Sequence, residues 1–370
     1  MAKVRILHIL HTIEKGGGVQ ERRCSIINST SHIYDHHIIV PKLTQNDIEL
    51  KSSVKVESLN LRFNKESLLV FTLFYPLLNF LKANRAFDII FISPVTIAIP
   101  CIILKMLRLT EAKIISSVHN AMNTQGLNIT SIKNVIYLSI FKSLSKNIEK
   151  LVFVSEGLKK DLENKFLKDT KKSLLIYNPV VDEDYYNAMS QESIGTVFSE
   201  NKFSFLTIGR LHPQKNYPLM ISAFKAIDSS DIELVIIGDG PDELKLKSLA
   251  GDVSNIKFLG HQDNPYKYLA MCDAFILTSQ WEGFGNVVVE ALYFDKKVVV
   301  SDCDYGPSEI IEQGKWGAIF PKDDISSLID VIKATVNTVQ PAFTRSRALV
   351  FSSDNSIKSY KDMFDSLLLQ

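Results

Sequence analysis

Short apolar runs alternate with longer stretches of mixed polarity along the whole chain. Each run is nearly continuous in Val, Ile, Leu and Phe, ends in glycine, proline or polar residues, and is followed by a segment with helical spacing. Such runs predict strands buried on both faces, as in parallel sheets covered by helices. The runs interpreted as strands are residues 4–10, 36–40, 54–59, 88–93, 113–118, 151–155, 203–209, 233–238, 256–259, 274–278 and 297–301.

These strands are enough for two doubly wound α/β domains, the default for 370 residues. A boundary is predicted near Asn178, because Pro179 biases it to an extended shape and polar residues follow. We expect domains at 1–180 and 181–352 and a capped amphipathic helix at 353–370. In open α/β sheets ligands bind beyond the carboxyl ends of the strands, so two facing domains would place the site in the cleft between them.

Residues 278–291 carry the densest chemistry. Glu282 and Glu290 are separated by seven residues, and a Gly-Phe-Gly turn between them leads from a strand into a helix. Backbone N–H groups at such a turn suit a phosphate or a polar sugar. Ionised carboxylates only accept hydrogen bonds and therefore suit neutral hydroxyls. An anion beside a polyhydroxylated ring is what a nucleotide sugar presents.

Other predicted strand ends in the second half add to this site. Gly209 ends one strand, and Arg210 and Lys215 follow it across a Pro-containing turn, where two cations can converge on a diphosphate. Gly238 and Gly240 form a second strand-to-helix turn, but Glu243 replaces the third glycine of a dinucleotide fingerprint, so NAD binding is not favoured. A third strand end carries Gly260 and His261.

The first half has sparser signals. Glycines at 16–18 follow the first strand and would let the backbone approach a ligand, although a flexible surface loop is the alternative. His119 stands at a strand's carboxyl end, where it would point into the expected cleft. Asp-x-Asp pairs occur at 182–184 and 302–304, but with 41 acidic residues in the chain we expect no metal site there. Four scattered cysteines fit reduced thiols in a cytosolic protein.

Charge is divided unevenly. Residues 1–180 carry 25 lysines and arginines against 14 acidic residues, a balance of +11, and the remainder carries 17 against 27, a balance of −10. Basic amphipathic stretches at 61–82 and 132–142 suit an anionic membrane surface, although they also suit core helices with a solvated face. The uncharged apolar run 89–104 is shorter than a bilayer span, and the N-terminus does not resemble a signal peptide. We expect a cytoplasmic protein, peripheral on the inner face of the cytoplasmic membrane, with no nucleic-acid partner.

The residues to be taken together are the glycines at 16–18, Gln20, His119, Gly209-Arg210, Lys215, Gly238-Asp-Gly240 and the Glu282–Glu290 motif. As a set, they resemble glycosyltransferase family 4 over nearly the whole chain. Residues 302–309 resemble the loop that follows this motif in bacterial members that build O-antigen, capsule or glycan-linked lipids, such as lipopolysaccharide. The resemblance implies the GT-B fold, with two Rossmann-like domains facing a central cleft and the last helix crossing back to the first domain. It also implies a retaining transfer from a nucleotide sugar, UDP being favoured, without a cofactor or a bound metal.

The resemblance also implies residue roles. Arg210 and Lys215 bind the donor's pyrophosphate, Glu290 accepts from the ribose hydroxyls, and Glu282 accepts from hydroxyls of the transferred sugar. Gly18 approaches the β-phosphate and His119 lines the reacting centre, so the expected catalytic set is His119, Glu282, Arg210 and Lys215. Gln20 lies near the acceptor, and we hypothesise that Arg22 and Arg23 attract a phosphorylated lipid-linked acceptor. The full donor set is Gly18, Gly209, Arg210, Lys215, Gly238, Gly260, His261, Glu282, Gly283, Phe284, Gly285, Asn286, Val287 and Glu290.

Two other functions remain open at this level. A nucleotide-sugar epimerase can share the architecture, but it needs a hydrogen-transfer base pair, and no acidic or histidine pair stands out for it. A catalytically silent sugar-nucleotide-binding module is the other. Release of free nucleotide diphosphate only when an acceptor is added would separate a transferase from both.

Overall fold

The chain divides into two compact units. The structure, a computed structural model, describes residues 3–15, 18–61, 72–84, 87–93, 97–119, 142–143, 145–167, 169–192, 195, 197–227, 229–339 and 343–369. The first unit comprises Met1–Pro179 together with Ser353–Gln370, and the second comprises Val180–Ser352.

The first unit is built, within its described residues, on a seven-stranded parallel sheet in the order β3-β2-β1-β4-β5-β6-β7. The central strands are apolar on both faces, and Ile89, Ile90 and Ile92 of β4 are fully buried. The strands are β1 Arg5–Leu10, β2 Asp35–Val40, β3 Lys55–Ser58, β4 Ile89–Ser93, β5 Lys113–Val118, β6 Lys150–Phe153 and β7 Ser173–Leu175. The helices are α1 Gly18–Thr30, α2 Phe74–Ala83, α3 Ala98–Met106 and α4 Glu156–Phe166.

The C-terminal helix, Ser353–Leu368, belongs to the core of the first unit. Tyr360, Met363, Phe364 and Leu367 recur with helical spacing and are buried against the sheet. Burial of each such side chain stabilises the unit by about 1.5–3 kcal/mol as an upper estimate. The Tyr34 hydroxyl also donates to Asp365 Oδ1 at 2.7 Å, which fixes the helix in register.

The second unit contains, in the part that the structure describes, a six-stranded parallel sheet in the order β10-β9-β8-β11-β12-β13. Phe205, Leu234 and Ile276 from three of its strands meet Phe224 in the core. The strands are β8 Phe203–Ile208, β9 Ile232–Ile237, β10 Ile256–Gly260, β11 Ala274–Leu277, β12 Lys297–Asp302 and β13 Ala318–Pro321. The helices are α5 Glu183–Ser190, α6 Tyr217–Ile227, α7 Glu243–Ala250, α8 Tyr266–Met271, α9 Asn286–Tyr293, α10 Pro307–Ile310, α11 Ile325–Asn337 and α12 Thr344–Leu349.

The predicted fold class, two doubly wound Rossmann-like domains, is confirmed. Every run interpreted as a strand overlaps one, whereas β7 and β13, both at sheet edges, are not covered by any of these runs. Of the two basic amphipathic stretches, residues 62–71 and 120–141 lie outside the described residues. Helix α2 buries Leu77, Phe80 and Leu81, so this part of the first stretch is a core helix. No helix in the described ranges is long and apolar enough to cross a bilayer.

Candidate functional site

The candidate site of the second unit lies where the strand order reverses. Strand β8 pairs with β9 on one side and with β11 on the other, so the connections from β8 and from β11 leave the sheet in different directions. Such a reversal opens a crevice at the carboxyl ends of the strands. The segments that follow β8 and β11 contain Lys215 and Glu282, respectively.

Lys215 and Glu282 form an ion pair at this crevice. Lys215 Nζ lies 2.5 Å from Glu282 Oε1, and the two side chains are 19% and 8% exposed. Ser279 Oγ donates to the same carboxylate oxygen at 2.6 Å. Because a charge of each sign is already paired and hydrogen-bonded, the two side chains can remain charged while largely withdrawn from water.

Backbone contacts fix the two loops around this pair. The Thr278 hydroxyl lies 2.9 Å from the Lys215 carbonyl oxygen and 3.1 Å from that of Asn216. Gln280 N donates to the Gln214 carbonyl oxygen at 2.7 Å, and Gln214 Nε2 donates to the Trp281 carbonyl oxygen at 2.9 Å. The ion pair is therefore held by rigid backbone rather than by side-chain packing alone.

The turn after Glu282 leads directly into helix α9. Gly285 precedes Asn286 with a φ of 100°, a conformation that favours glycine. Gly306 lies against this turn, and a Cβ there would fall 1.9 Å from the Phe284 carbonyl oxygen. Helix α9 begins at Asn286 and Val287, and the positive end of a helix dipole favours an anion at such a position.

Glu290 lies one turn into α9 and is buried, with 5% of its surface exposed. The Tyr186 hydroxyl is 3.3 Å from Glu290 Oε1 and 2.6 Å from the Val180 carbonyl oxygen. Tyr186 is itself enclosed by aromatic neighbours, among them Tyr266 at 4.7 Å and Tyr293 at 5.3 Å between ring centroids. This aromatic cluster gives Glu290 a fixed apolar wall on one side.

Three predicted glycines lie together at the ends of β8, β9 and β10. Gly238 N donates to the Gly260 carbonyl oxygen at 2.8 Å, and a Cβ on Gly238 would fall 2.0 Å from the Gly209 carbonyl oxygen. Arg210, which follows Gly209 in the chain, is exposed. His261 is exposed too, 3.5 Å from Asp263. These backbones approach closely because glycine lacks a side chain.

The Asp-x-Asp pairs have structural contacts. Asp182 caps α5 by accepting from Tyr185 N at 3.1 Å, and the Asp304 carbonyl oxygen accepts from Glu282 N at 3.2 Å. Among the residues described, no group of three histidine, cysteine or acidic side chains is arranged to hold a metal ion. All four cysteines are free and buried, and burial raises the pKa of Cys303, near Glu282, to about 12.

The first-unit candidates separate into accessible and buried groups. Gly18, the first residue of α1, is exposed, and Gln20 and Arg22 are half-buried, whereas residues 16–17 lie outside the described part of the chain. Arg23 is only 2% exposed, and its guanidinium carbon lies 3.7 Å from the ring centroid of Phe91. Arg23 is thus enclosed in the core of the first unit, whereas Arg22 is half-buried, and an acceptor role for the two arginines stays a prediction.

His119 is buried beside Arg23. Its Nε2 lies 2.9 Å from Ser117 Oγ, and this oxygen accepts a hydrogen bond from Arg23 Nη2 at 3.0 Å. Burial, and then the nearby Arg23 charge, lower the pKa of His119 to about 3. The imidazole is consequently neutral at physiological pH, which makes it a hydrogen-bonding group rather than a cation.

Comparison with known proteins bears on the second unit most directly. Residues 190–338, which contain Arg210, Lys215, Glu282 and Glu290, match the profile of the family described as glycosyl transferases group 1. This segment belongs to that family. The chain is 30% identical over 209 residues to the N-acetylgalactosamine-N,N'-diacetylbacillosaminyl-diphospho-undecaprenol 4-alpha-N-acetylgalactosaminyltransferase of Campylobacter jejuni, covering 56% of this chain and 55% of that protein. It is 22% identical over 324 residues to the amylovoran biosynthesis glycosyltransferase AmsD of Erwinia amylovora, covering 87% of both.

The chain spans between 48% and 59% of the length of three curated relatives that it matches, the Campylobacter protein among them. Among solved structures, Anabaena HepE in complex with UDP superposes with a TM-score of 0.76 at 18% identity, covering 98% of this chain and 100% of that one. That likeness establishes a shared two-domain fold.

Three side chains that contact predicted site residues, one in the first unit and two in the second, were not themselves predicted. Ser279 contacts Glu282, Tyr186 contacts Glu290, and Ser117 contacts His119. Ser279 and Ser117 are hydroxyl residues within three positions of a predicted site residue, which is a usable sequence signal. Tyr186 is distant in sequence from Glu290, so only the folded chain brings the two together.

Proposed function

We propose that the protein is a retaining glycosyltransferase that moves a hexose or an N-acetylhexosamine from a nucleotide diphosphate sugar, with UDP as the expected nucleotide. The acceptor we propose is lipid-linked or an oligosaccharide, in the synthesis of a cell-surface polysaccharide. The observation that carries this proposal is the fixed Lys215–Glu282 pair at the strand-order reversal, within the segment that belongs to the group 1 glycosyl transferases.

The chemistry that these groups can perform is electrostatic. A nucleotide diphosphate leaves readily if its growing negative charge is stabilised by preorganised donors. Lys215, exposed Arg210 and the first N–H groups of α9 supply such donors without a metal ion. Glu290 accepts hydrogen bonds from the ribose and Glu282 accepts them from the transferred sugar, since both are buried carboxylates.

The donor and acceptor classes have support from named relatives. HepE was solved with UDP, the Campylobacter protein is named for a diphospho-undecaprenol substrate, and AmsD is named for amylovoran biosynthesis. The ligand and the names belong to those relatives. They are the reason that UDP-sugars and polyprenyl diphosphate-linked glycans are the first candidates to test as donor and acceptor.

We also propose peripheral contact with an anionic membrane, on the inner face of the cytoplasmic membrane. The first 180 residues carry a charge balance of +11. The turn after α3 exposes Met106, Leu107 and Leu109 beside Arg108, a combination that suits the headgroup boundary of a bilayer. Vesicle flotation tests this contact. We expect the protein to bind phosphatidylglycerol vesicles and to bind phosphatidylcholine vesicles only weakly. Leu107→Gln should lose binding to the phosphatidylglycerol vesicles. Equal binding to both vesicle types would contradict the proposal.

A thermal-shift screen identifies the donor. UDP-GlcNAc, UDP-GalNAc, UDP-Glc, UDP-Gal and GDP-Man are each added to the full-length protein, because a ligand that binds only the folded state raises Tm by mass action. The right donor should raise Tm for the wild type but not for Glu290→Ala. Glu243→Ala is the matched control, since Glu243 pairs with Lys247 on the surface of α7.

Transfer is then measured as release of nucleotide diphosphate. We expect release that depends on an added polyprenyl diphosphate-linked glycan, with the new glycosidic bond in the configuration of the donor. Conversion of the donor to its epimer without acceptor would replace the proposal with an epimerase. Donor binding without any turnover across the acceptor panel would replace it with a binding module.

A further inference from the structure

Ser117 Oγ stands between two nitrogen atoms in the core of the first unit. Arg23 Nη2 lies 3.0 Å away and His119 Nε2 lies 2.9 Å away. Ser117 is fully buried, so water does not compete for these contacts. A guanidinium has only donors, so Arg23 must donate and Ser117 Oγ must accept.

The hydroxyl hydrogen of Ser117 then has one destination. Among the residues that the structure describes, His119 Nε2 is the only other polar atom within hydrogen-bond distance of this hydroxyl. A hydroxyl can donate one hydrogen, and Nε2 can accept it only if it carries no proton of its own. If the hydroxyl donates to Nε2, the single proton of the neutral imidazole is on Nδ1, whereas a proton on Nε2 would leave the hydroxyl hydrogen without an acceptor among the described residues.

Nδ1 itself is left without a protein partner. It is buried, and no described residue lies within hydrogen-bond distance of it. An unmatched buried N–H group costs about 1–3 kcal/mol of folding free energy, so its persistence asks for an explanation. Burial lowers the pKa of His119 to about 3, so the ring cannot escape this cost by becoming protonated on both nitrogens.

We propose that Arg23 and Ser117 are positioning residues that hold His119 as the Nδ1–H tautomer, so that it donates a hydrogen bond to an oxygen of the bound substrate. This inference rests on the proposed glycosyltransferase function. His119 acts in it as a neutral donor of fixed direction and takes up no proton during the reaction. That oxygen would satisfy the N–H group, which has no partner among the described residues.

Arg23 suits this task because its charge does not change. The guanidinium remains protonated in proteins, so the direction of the hydrogen-bond chain cannot reverse. It is held over the ring of Phe91 at 3.7 Å and lies 5.3 Å from that of Tyr360 in the C-terminal helix. A cationic donor also polarises the Ser117 hydroxyl and strengthens its bond to His119.

Histidine NMR of the full-length protein tests the tautomer directly. The protein is labelled with ¹³C,¹⁵N-histidine, and the His119 signals are those missing from His119→Gln among the 8 histidines. We expect a protonated Nδ1 and an unprotonated Nε2 in the wild type and in Ser117→Thr, which retains the hydroxyl. In Ser117→Ala we expect the proton to move to Nε2 in a large fraction of molecules.

The NMR result overturns the proposal in either of two ways. A wild-type ring protonated on Nε2 would contradict the tautomer, and an unchanged Nδ1–H signal in Ser117→Ala would remove Ser117 from its role. The ring signals of His36, elsewhere in the unit, should be the same in all variants, which excludes a general loss of packing. Arg23→Met is a second variant, interpreted only if its Tm shows that it folds.

Activity supplies the functional half of the test. We expect Ser117→Ala to lower kcat about tenfold with the KM for the donor nearly unchanged, as for a contact made mainly in the transition state. Ser117→Thr should restore most of kcat. If Ser117→Ala keeps full kcat, the tautomer has no catalytic use. If the wild type transfers no sugar while NMR shows Nδ1–H, the transferase proposal fails and the tautomer assignment stands.

Discussion

Lys215 Nζ lies 2.5 Å from Glu282 Oε1, so two residues expected to contact different parts of a donor are paired with each other. The pair brings two opposite charges together and keeps both side chains in place. A diphosphate arriving beside Lys215 would share its ammonium group, which has three donors, with Glu282. Preorganisation of this kind reduces the cost of ordering the site during binding.

The first prediction concerns the energy stored in this pair. Lys215→Met leaves the buried Glu282 carboxylate with Ser279 but without its counter-charge, so we expect the free energy of unfolding to fall by about 2–3 kcal/mol. The double variant Lys215→Met with Glu282→Gln removes both charges and should recover about 1–2 kcal/mol of that loss. Urea unfolding of the wild type, Lys215→Met, Glu282→Gln and the double variant measures this double-mutant cycle. Additive losses would show that the two charges do not interact.

The second prediction concerns Gly306 and the turn at Phe284. A methyl group on Gly306 would lie 1.9 Å from the Phe284 carbonyl oxygen, and its φ of 72° is unfavourable for alanine. We expect Gly306→Ala to lower the free energy of unfolding by about 3 kcal/mol and to abolish donor binding, since the start of α9 must move.

Gly251→Ala is the matched control for Gly306→Ala. Gly251 also has a positive φ, 64°, but a Cβ there would meet no atom within 4 Å. Its loss should be about 1–2 kcal/mol, from backbone strain alone, with donor affinity unchanged. Equal losses at both positions would mean that contact with Phe284 contributes nothing.

Much of the fold follows from local pattern. Strands such as β4 and β9 are buried on both faces and therefore appear in sequence as continuous apolar runs. The edge strands β7 and β13 have only three and four residues and are partly exposed, so their sequences lack this pattern. Strand order is not encoded in any single run, because pairing depends on contacts between distant segments.

The site was predictable to a similar depth. Arg210 and Lys215 are indicated by their position after a strand, and Glu282 and Glu290 by their spacing around a glycine turn that follows another strand. Arg23 follows the glycine loop closely in sequence, and arginine is seldom fully buried, so the sequence does not indicate a core position for it. Its burial depends on Tyr360, at the far end of the chain, and on the ring of Phe91. No local pattern contains that information.

The third prediction concerns acid sensitivity of the first unit. Burial lowers the pKa of His36 to about 4, against about 6.5 in an unfolded chain. Between these values the unfolded state binds a proton that the folded state refuses, so stability is lost as the pH falls from about 6.5 towards 4. The loss from this group amounts to at most about 3 kcal/mol. Tm should therefore decline between pH 6.5 and 5, above the range in which most carboxylates titrate.

Substitution identifies the group responsible for that decline. His36 lies 2.9 Å from His8 and 2.8 Å from Thr30 Oγ1, so His36→Gln retains a polar side chain at this position. We expect the variant to have a flatter dependence of Tm on pH from 6.5 to 5. His32→Gln, at an exposed position in the same unit, controls for the loss of a histidine as such. An unchanged slope in His36→Gln would assign the acid sensitivity to other groups.

The fourth prediction separates the charge of Glu290 from its positioning. Glu290→Gln keeps the size of the side chain but loses the charge, and hydrogen bonds to a charged group contribute about 1.5–3 kcal/mol. UDP affinity, measured by calorimetry, should therefore fall by about 10- to 100-fold. Unchanged affinity would exclude the ribose role. Tyr186→Phe retains the carboxylate but removes the hydroxyl at 3.3 Å from Glu290 Oε1.

For Tyr186→Phe we expect a smaller loss of UDP affinity, about three- to tenfold, because Glu290 remains charged but loses a neighbour that limits its rotation. The value of kcat should change little, since the contact exists before the donor binds. Tyr185→Phe is the matched control: it lies next in sequence, is 46% exposed and belongs to the same aromatic cluster. If both phenylalanine variants weaken UDP equally, the aromatic cluster acts through packing, and the Tyr186 hydroxyl has no specific part in holding Glu290.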